Sequence, residues 1–241
     1  MKLVLFGLGG MGGLVEQRAL GAGHEIVARF DERDAGRPWS EVVSALRGAQ
    51  AAIDFSVAVA VPDHARACVA AGVPLVEGTT GWQARLADVR AIVEQGRGTL
   101  VYGANFSIGV NLFYRIVRAA AAQYARDPAY APFIEEAHHE RKKDAPSGTA
   151  LKLKDLVAGA YGGRVIPVAS TRAGHIPGTH RVGFDGPADQ ITLTHTARSR
   201  DGFAAGALLA AQWIAAGSLK GVFEFTDVLD EILAAAGGAA S

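Results

Sequence analysis

The feature that most restricts the fold is Gly7-Leu-Gly-Gly-Met-Gly12, a G-x-G-x-x-G motif that follows a short apolar run at residues 2–6. Apolar residues then recur at helical spacing, and a second apolar run at 24–30 ends at Asp31. A strand, a glycine turn, a helix, a strand and an acid in this order indicate a dinucleotide-binding βαβ unit. The alternative is a glycine turn that only permits close packing of strand and helix.

The glycine turn should bind a pyrophosphate, and Asp31 should meet a ribose hydroxyl. Asp31 favours the ribose diol of NAD, whereas Arg29 or Arg33 could hold the 2′-phosphate of NADP. We therefore expect that NADH is used and that NADPH is used to some degree. The candidate cofactor residues in this turn are Gly7, Leu8, Gly9, Gly10, Met11 and Gly12.

Strands and helices alternate through the first hundred residues, which predicts an α/β fold with a Rossmann-type, doubly wound parallel sheet. The further strands are predicted at 51–56, 73–77 and 99–102, and the helices at 39–46, 62–72 and around 86–93. Ligands of such sheets collect at the carboxyl ends of the strands. The segments Asp54–Ser56, Gly78–Gly81 and Gly103–Ser107 follow three of these ends.

The pattern changes from residue 108 onwards, where a long amphipathic helix to about residue 123 begins a second region. Alternating polar and apolar residues then predict an open mixed sheet in an α+β domain. The predicted strands begin at Phe133 and span 165–170, 181–184 and 190–197, with helices after Ser147 and over 203–216 and 228–233. We predict a nucleotide domain at 1–106 that is completed by 218–241, and a second domain at 107–217. Residues 236–241 are expected to fray.

The segment from Glu136 to Ala150 concentrates the chemistry of the second region. It contains His138, His139 and Lys142, and then turns into Ser147-Gly148-Thr149 at the start of an apolar helix. A helix N-terminus binds anions, so residues 147–149 are expected to hold a carboxylate. The alternative is a charged surface loop in which Ser147 is an ordinary helix cap.

Composition excludes several other classes of protein. The net charge is zero, so no global field attracts nucleic acid or anionic lipid. Cys68 is the only cysteine, so no disulfide framework can form within the chain. No N-terminal signal or long apolar run is present, so a cytoplasmic protein is expected. The other histidines lack a carboxylate cluster at ligand spacing, and no metal is predicted. We interpret His64, His175, His180 and His195 as structural, except that His175 and Arg172 lie in or near a loop that could reach a substrate.

With these residues assembled, the chain resembles the 4-hydroxy-tetrahydrodipicolinate reductase (dihydrodipicolinate reductase) family of lysine and diaminopimelate biosynthesis. The resemblance covers essentially the whole chain, and the histidine-to-threonine segment is its most specific part. It rests on the glycine loop, Asp54–Ser56, Glu77–Gly81, Ala104–Asn111, Glu136–His139, Lys142–Ala150, Arg172–Gly174 and Asp227–Leu229.

The resemblance implies reduction of 4-hydroxy-tetrahydrodipicolinate, a small dicarboxylate, with NADH or NADPH by a homotetramer built through the mixed sheet. It implies that His138 is the general acid/base, that Lys142 is a second proton donor, and that His139, Gly148 and Thr149 bind substrate. The residues that it assigns to the nucleotide are Gly7 to Gly12, Asp31, Gly78, Thr79, Thr80, Ala104, Asn105, Phe106 and Ser107.

One departure concerns the glycine loop, in which many relatives carry one more residue and a basic side chain before the methionine. Here Gly10 directly precedes Met11, which weakens the case for tight 2′-phosphate binding. Two other functions are weighed: a relative of diaminopimelate dehydrogenase, and a catalytically silent NAD(P)H sensor. Neither explains why histidines, a lysine and Ser-Gly-Thr occur together.

Overall fold

The computed structural model describes residues 1–238, which divide into two compact units. The first contains Met1–Ile108 and the segment that starts at Arg200; the second contains Gly109–Ser199. The predicted return to the first domain at residue 218 is therefore too late. The helix Asp201–Ala216, predicted in the second domain, packs its alanine-rich surface into the core of the first unit.

The first unit is a parallel six-stranded sheet with helices, as predicted. Its strands are β1 (Lys2–Phe6), β2 (Glu25–Phe30), β3 (Ala51–Asp54), β4 (Leu75–Glu77), β5 (Thr99–Tyr102) and β10 (Gly221–Glu224). Its helices are α1 (Gly10–Gly21), α2 (Trp39–Leu46), α3 (Val61–Ala71), α4 (Leu86–Gln95), α7 (Asp201–Ala216) and α8 (Phe225–Gly238). The strand order is β10-β5-β4-β3-β1-β2.

Burial explains why these short segments form central strands. All four residues of β3 and all three of β4 are buried, as parallel strands covered on both faces require. Helix α3 has a proline in its first turn and ends at Gly72, whose φ of 72° suits the left-handed helix cap. Strand β10 was not predicted from the sequence; it is an edge strand of the first sheet, where it pairs with β5 and thereby carries the C-terminal segment back to that sheet.

The second unit is a four-stranded mixed sheet with two helices. Its strands are β6 (Ala131–His138), β7 (Val168–Arg172), β8 (Thr179–Asp185) and β9 (Gln190–Thr196), in the order β7-β6-β8-β9. Strands β6 and β7 are parallel and the other pairs antiparallel. The helices are α5 (Ile108–Tyr124) and α6 (Gly148–Ala160).

Alternation along β6 separates a buried face from a more exposed one. Ile134, Glu136 and His138 are buried, whereas Glu135 is exposed. Side chains of α5 and α6, such as Val117 and Leu153, share one apolar core with the buried face of the sheet. This arrangement places two polar residues, Glu136 and His138, at one end of an otherwise apolar row.

The C-terminal prediction is tested only in part. Residues 236–238 belong to α8, whereas residues 239–241 lie outside the described part of the chain. Among residues 1–238, none of the helices combines the length and apolar character that crossing a bilayer requires.

Candidate active site

The glycine turn after β1 is packed so closely that side chains are excluded. A Cβ on Gly7, whose φ is 80°, would lie 2.5 Å from the carbonyl oxygen of Phe55. A Cβ on Gly12 would lie 1.8 Å from the carbonyl oxygen of Gly7. Gly9 caps α1, while Gly10, Met11 and Gly12 form its first turn, so unpaired N–H groups face the end of β1. Local sterics therefore require glycine at positions 7 and 12, whereas a Cβ on Gly9 would meet no atom within 4 Å.

A cavity of about 890 Å³ opens beside this turn. It is large enough for a sizeable small-molecule ligand. Among the residues that line it are Gly7, Leu8, Gly9, Asp31, His64 and Arg66. The other predicted cofactor segments are not part of its lining. Gly78, Thr79 and Thr80 follow β4, and Ala104, Asn105, Phe106 and Ser107 follow β5, further along the same carboxyl edge of the sheet.

The acid at the end of β2 is held by a neighbouring arginine. Asp31 accepts hydrogen bonds from the backbone N–H of Arg33 at 2.9 Å and from its Nε at 3.0 Å. These bonds lower the pKa of Asp31. Arg29, the other cation considered for a 2′-phosphate, instead pairs with Glu16 at 2.6 Å. Sequence reasoning missed Arg37, which lines the cavity and lies over the ring of Phe30, 5.5 Å from its centroid.

A buried polar network lies where β3 and β4 end. Asp54 accepts a hydrogen bond from the backbone N–H of Ser56 at 2.8 Å, and its other oxygen lies 2.6 Å from Nδ1 of His64. The Thr79 hydroxyl donates to Asp54 at 3.3 Å, and the Thr79 N–H donates to Glu77 at 2.7 Å. Burial and the charge of Asp54 raise the pKa of Glu77 well above its ordinary value. The Gly78–Thr80 turn is thus anchored by two carboxyl groups.

The segment after β5 is fixed by a side-chain hydrogen bond and by a buried ring. Asn105 accepts a hydrogen bond from the backbone N–H of Ser107 at 2.8 Å, which fixes the turn. Phe106 is buried, and its ring packs against Phe225 at a centroid distance of 4.6 Å. A nucleotide could meet the backbone of Phe106, but its side chain belongs to the core.

In the second unit, His138 ends β6 and is bound by a carboxylate. Its Nδ1 is hydrogen-bonded to Glu136 Oε2, and the Glu136 side chain has no exposed surface. Arg172, at the end of β7, contacts both carboxylate oxygens of Glu136, at 2.7 and 3.0 Å. Arg172 also donates to the Asp144 carbonyl at 2.5 Å, so the arginine ties the loop after β6 to the sheet. Arg172, flagged from sequence, therefore meets His138 through Glu136.

The predicted anion-binding segment lies at the start of α6. Ser147 caps α6, with its Oγ accepting from the Ala150 N–H at 3.2 Å, and Gly148 and Thr149 begin the helix. The Thr149 hydroxyl interacts with Tyr114. Nε2 of His180 lies 3.0 Å from Ser147 Oγ, and its ring centroid lies 5.0 Å from that of His138. His180, interpreted from sequence as structural, lies against the candidate site because β8 pairs it with Glu136.

The remaining predicted residues lie around this centre. Lys142 forms an ion pair with Asp144 at 2.8 Å, and Nδ1 of His139 is buried without a hydrogen-bond partner among the described residues. His175 is exposed. His195, the fourth histidine predicted to be structural, packs against Phe113.

The charges set different proton affinities. Burial acts to raise the pKa of Glu136, but hydrogen bonds from Arg172, Ser170 and His138 lower it to about 2. Burial lowers the pKa of His138; Glu136 opposes this effect, and the positive charges of Lys142 and Arg172 add to it. Burial and the charge of His138 lower the pKa of His180 to about 4. The neutral imidazole of His138 is thus hydrogen-bonded to the ionised carboxylate of Glu136.

The donor atoms of Glu136, His138 and His180 lie within 4.8 Å of one another, which is close enough to consider a metal. However, the guanidinium of Arg172 already contacts both Glu136 oxygens. A cation would have to displace that positive charge, so the absence of a metal stays our prediction.

Comparison with known proteins also divides the chain in two, although the second match runs past Ser199 into the segment that returns to the first unit. The family model for the N-terminus of dihydrodipicolinate reductase matches residues 1–106, and the model for its C-terminus matches residues 109–229. The chain belongs to the dihydrodipicolinate reductase family. The sequence resemblance is thereby confirmed, and the two matched regions contain the glycine turn and His138 respectively.

Individual reductases agree over nearly their whole length. The 4-hydroxy-tetrahydrodipicolinate reductase of Christiangramia forsetii is 34% identical over 243 residues, covering 96% of this chain and 99% of that one. The enzyme of that name from Methanosarcina barkeri is 36% identical, covering 94% and 97%. A dipicolinate-bound dihydrodipicolinate reductase structure from Paenisporosarcina sp. TG-14 has a TM-score of 0.77 at 23% identity, over 93% of this chain and 97% of that one. This structural likeness confirms the fold.

Proposed function

We propose that this chain reduces 4-hydroxy-tetrahydrodipicolinate to tetrahydrodipicolinate with a reduced nicotinamide nucleotide, a step of lysine and diaminopimelate biosynthesis. Relatives that align over nearly the whole chain are reductases of this name. The observation that carries the proposal for the site is a buried histidine on a carboxylate, His138 on Glu136, beside the capped start of α6.

The substrate is a dicarboxylate, and α6 offers a place for one of its carboxylates. The helix has 13 residues, so its first N–H groups carry the positive end of a full helix dipole. Gly148 and Thr149 supply those groups, and Ser147 fixes the turn that presents them. Lys142 and His139 are proposed to contribute further positive charge and hydrogen bonds.

His138 is proposed to give the proton that the substrate must accept beside the carbon that is reduced. A bound dianion favours the imidazolium form and raises the proton affinity that burial depresses. The conversion of His138 to a donor is therefore expected to accompany substrate binding. Lys142 is proposed as the second proton donor.

The first unit fits a dinucleotide, because a cradle without side chains at Gly7 and Gly12 adjoins a cavity that Asp31 lines. When bound, the nicotinamide supplies the hydride. The N–H groups at the start of α1 would hold the pyrophosphate, and Asp31 the ribose diol. Thr79 and Asn105 anchor the turns proposed to hold the other end.

Both nucleotides are proposed to serve. Asp31 repels a 2′-phosphate, but Arg33 offsets its charge and Arg37 lines the same cavity. Comparison of kcat/KM for NADH and NADPH tests this proposal. An NADPH preference of about a hundredfold, equivalent to ~2.7 kcal/mol, would contradict the role given to Asp31.

The decisive experiment couples the protein to the product of dihydrodipicolinate synthase and follows loss of reduced-nicotinamide absorbance. We expect turnover by the wild type. His138→Gln should lower kcat by about 10²- to 10⁴-fold, the usual contribution of a positioned acid, while nucleotide affinity is retained. Tight nucleotide binding without turnover by the wild type would instead support a sensor.

The assembly and location remain part of the proposal. A homotetramer formed through the open face of the second sheet is tested by sedimentation equilibrium, and a cytoplasmic location by cell fractionation. The exposed, largely polar strand β9 supports a partner on that sheet.

A further inference from the structure

Glu136 lies at the centre of the candidate active site although it offers no surface to a substrate. Its side chain has no exposed area. One oxygen meets Nδ1 of His138, and both oxygens meet Arg172. Oε1 also lies 3.4 Å from the backbone nitrogen of Ser147, the residue that caps α6. One carboxylate therefore links the histidine, the arginine and the proposed anion-binding turn.

We infer that Glu136 and Arg172 are positioning residues that hold His138 in a single tautomer, with Nε2 left to exchange a proton with the substrate. The inference rests on the proposed function only for the role of His138. Neither residue is a catalytic residue, because both act through the imidazole.

The tautomer follows from the chemistry of the partners. An ionised carboxylate only accepts hydrogen bonds, so Nδ1 of His138 must carry a hydrogen and Nε2 must present its lone pair. The hydrogen bonds from Arg172 keep Glu136 ionised, with a pKa of about 2. The carboxylate thus remains an acceptor across the range in which the imidazole titrates.

The backbone beside Nε2 leaves space for that proton exchange. Gly178, the residue directly before β8, has a φ of 135°. A Cβ there would lie 3.1 Å from His138 Nε2, tighter than most contacts of such atoms. The reactive edge of the ring is therefore bordered by a residue that has no side chain.

Three charged groups act on this imidazole, and a fourth titratable group, His180, packs against it. Glu136, on its own strand, favours the imidazolium, whereas Arg172 on β7 and Lys142 on the loop after β6 oppose it. His180 on β8 is neutral at physiological pH because its own pKa is about 4. Glu136 and Arg172 therefore act on His138 in opposite directions, which a purely structural role would not produce.

The test measures the His138 titration in the full-length protein without substrate, by NMR of ¹⁵N-labelled histidine. The signal is assigned by its loss in His138→Gln. In the wild type, nitrogen shifts should show hydrogen on Nδ1 and a lone pair on Nε2. Glu136→Gln should lower the pKa of His138 and mix the tautomers. Arg172→Gln should raise that pKa, because a positive charge is lost and the carboxylate remains.

Activity supplies a second readout. Glu136→Gln is expected to lower kcat by about 10- to 100-fold, part of the 10²–10⁴ that acid catalysis contributes, with nucleotide KM unchanged. The pH profile of kcat/KM should move to lower pH in Glu136→Gln and to higher pH in Arg172→Gln. Arg172→Lys keeps the charge and should restore a titration close to wild type, which also covers the case in which Arg172→Gln fails to fold.

Arg181→Gln is the matched control. Arg181 pairs with Glu135 at 2.9 Å on the neighbouring strands, where both side chains are about half exposed. The Arg181→Gln substitution should therefore leave the His138 titration unchanged. Parallel shifts in Glu136→Gln and Arg172→Gln, or no shift in either, would overturn the inference. A wild type that does not turn over would refute the proposed function alone, because the NMR titration would still report the tautomer.

Discussion

Two buried glutamates, one in each unit, have opposite proton affinities. Glu136 and Glu77 both lie at or near the end of a strand, and each has a side-chain oxygen within hydrogen-bond distance of a backbone N–H. The pKa of Glu136 is lowered to about 2, whereas that of Glu77 is raised well above its ordinary value. Burial acts in the same direction on both, so it cannot account for the difference.

The neighbour decides the outcome. Glu136 contacts the guanidinium of Arg172 through both oxygens, whereas Glu77 lies beside Asp54, its partner in the β3–β4 register. The anion Glu136 can orient a histidine. With its raised pKa, Glu77 can accept the Thr79 N–H as the protonated acid, without placing a second negative charge beside Asp54. One residue type thus serves two purposes, depending on the charge beside it.

The largest expected effect on stability comes from removing the cation beside Glu136, which is the guanidinium of Arg172. Arg172→Met leaves the Glu136 carboxylate buried and uncompensated, which should lower the free energy of unfolding by about 3–5 kcal/mol. Urea denaturation at neutral pH measures the loss. The control Arg181→Met breaks an exposed ion pair and should cost at most about 1 kcal/mol. Equal losses in the two variants would refute the special role of the buried pair.

A smaller effect concerns the pH dependence of stability. Because the pKa of Glu136 is depressed in the folded state, its contribution is present above the ordinary carboxyl range and is lost as the pH falls towards about 2. The linkage corresponds to about 3 kcal/mol at neutral pH. Glu136→Gln should therefore be less stable than wild type at neutral pH, with a difference that narrows in acid. The exposed Glu135→Gln should show no such narrowing.

The smallest effect on stability is expected when the other buried glutamate, Glu77, is replaced by glutamine. The folded state keeps a proton on Glu77, so the wild type loses stability as the pH rises through the ordinary carboxyl range. Glu77→Gln cannot ionise and should equal or exceed wild type at neutral pH, by no more than about 1 kcal/mol. Denaturation midpoints measured from acid to neutral pH provide the test. A large destabilisation at neutral pH would mean that Glu77 is ionised.

The sequence was most informative where a signal is local. Helical spacing, glycine positions and strand length predicted β1, α2 and β5 with their observed bounds. The position of Glu136 and His138 on one face also follows from a local rule, since side chains of a strand alternate.

Features that depend on distant pairing could not be predicted in this way. Strand β10 has only four residues and is defined by its partner β5. An alanine-rich helix such as α7 does not reveal which sheet it covers, which explains the late domain boundary. The position of His180 beside the candidate site depends on the β6–β8 register. The contact between Arg172 and Glu136 likewise depends on the pairing of β6 with β7.

The path of the chain has a consequence for synthesis. The first unit is interrupted by residues 109–199, and it needs α7 and β10 to complete its core and its sheet. A ribosome releases the second unit as one continuous stretch, which can fold as soon as it emerges. The first unit cannot be completed, and β5 remains an unpaired edge strand, until the last tenth of the chain, which includes β10, has been synthesised. A premature stop codon in that final stretch would therefore leave the sheet and the core of the N-terminal unit incomplete.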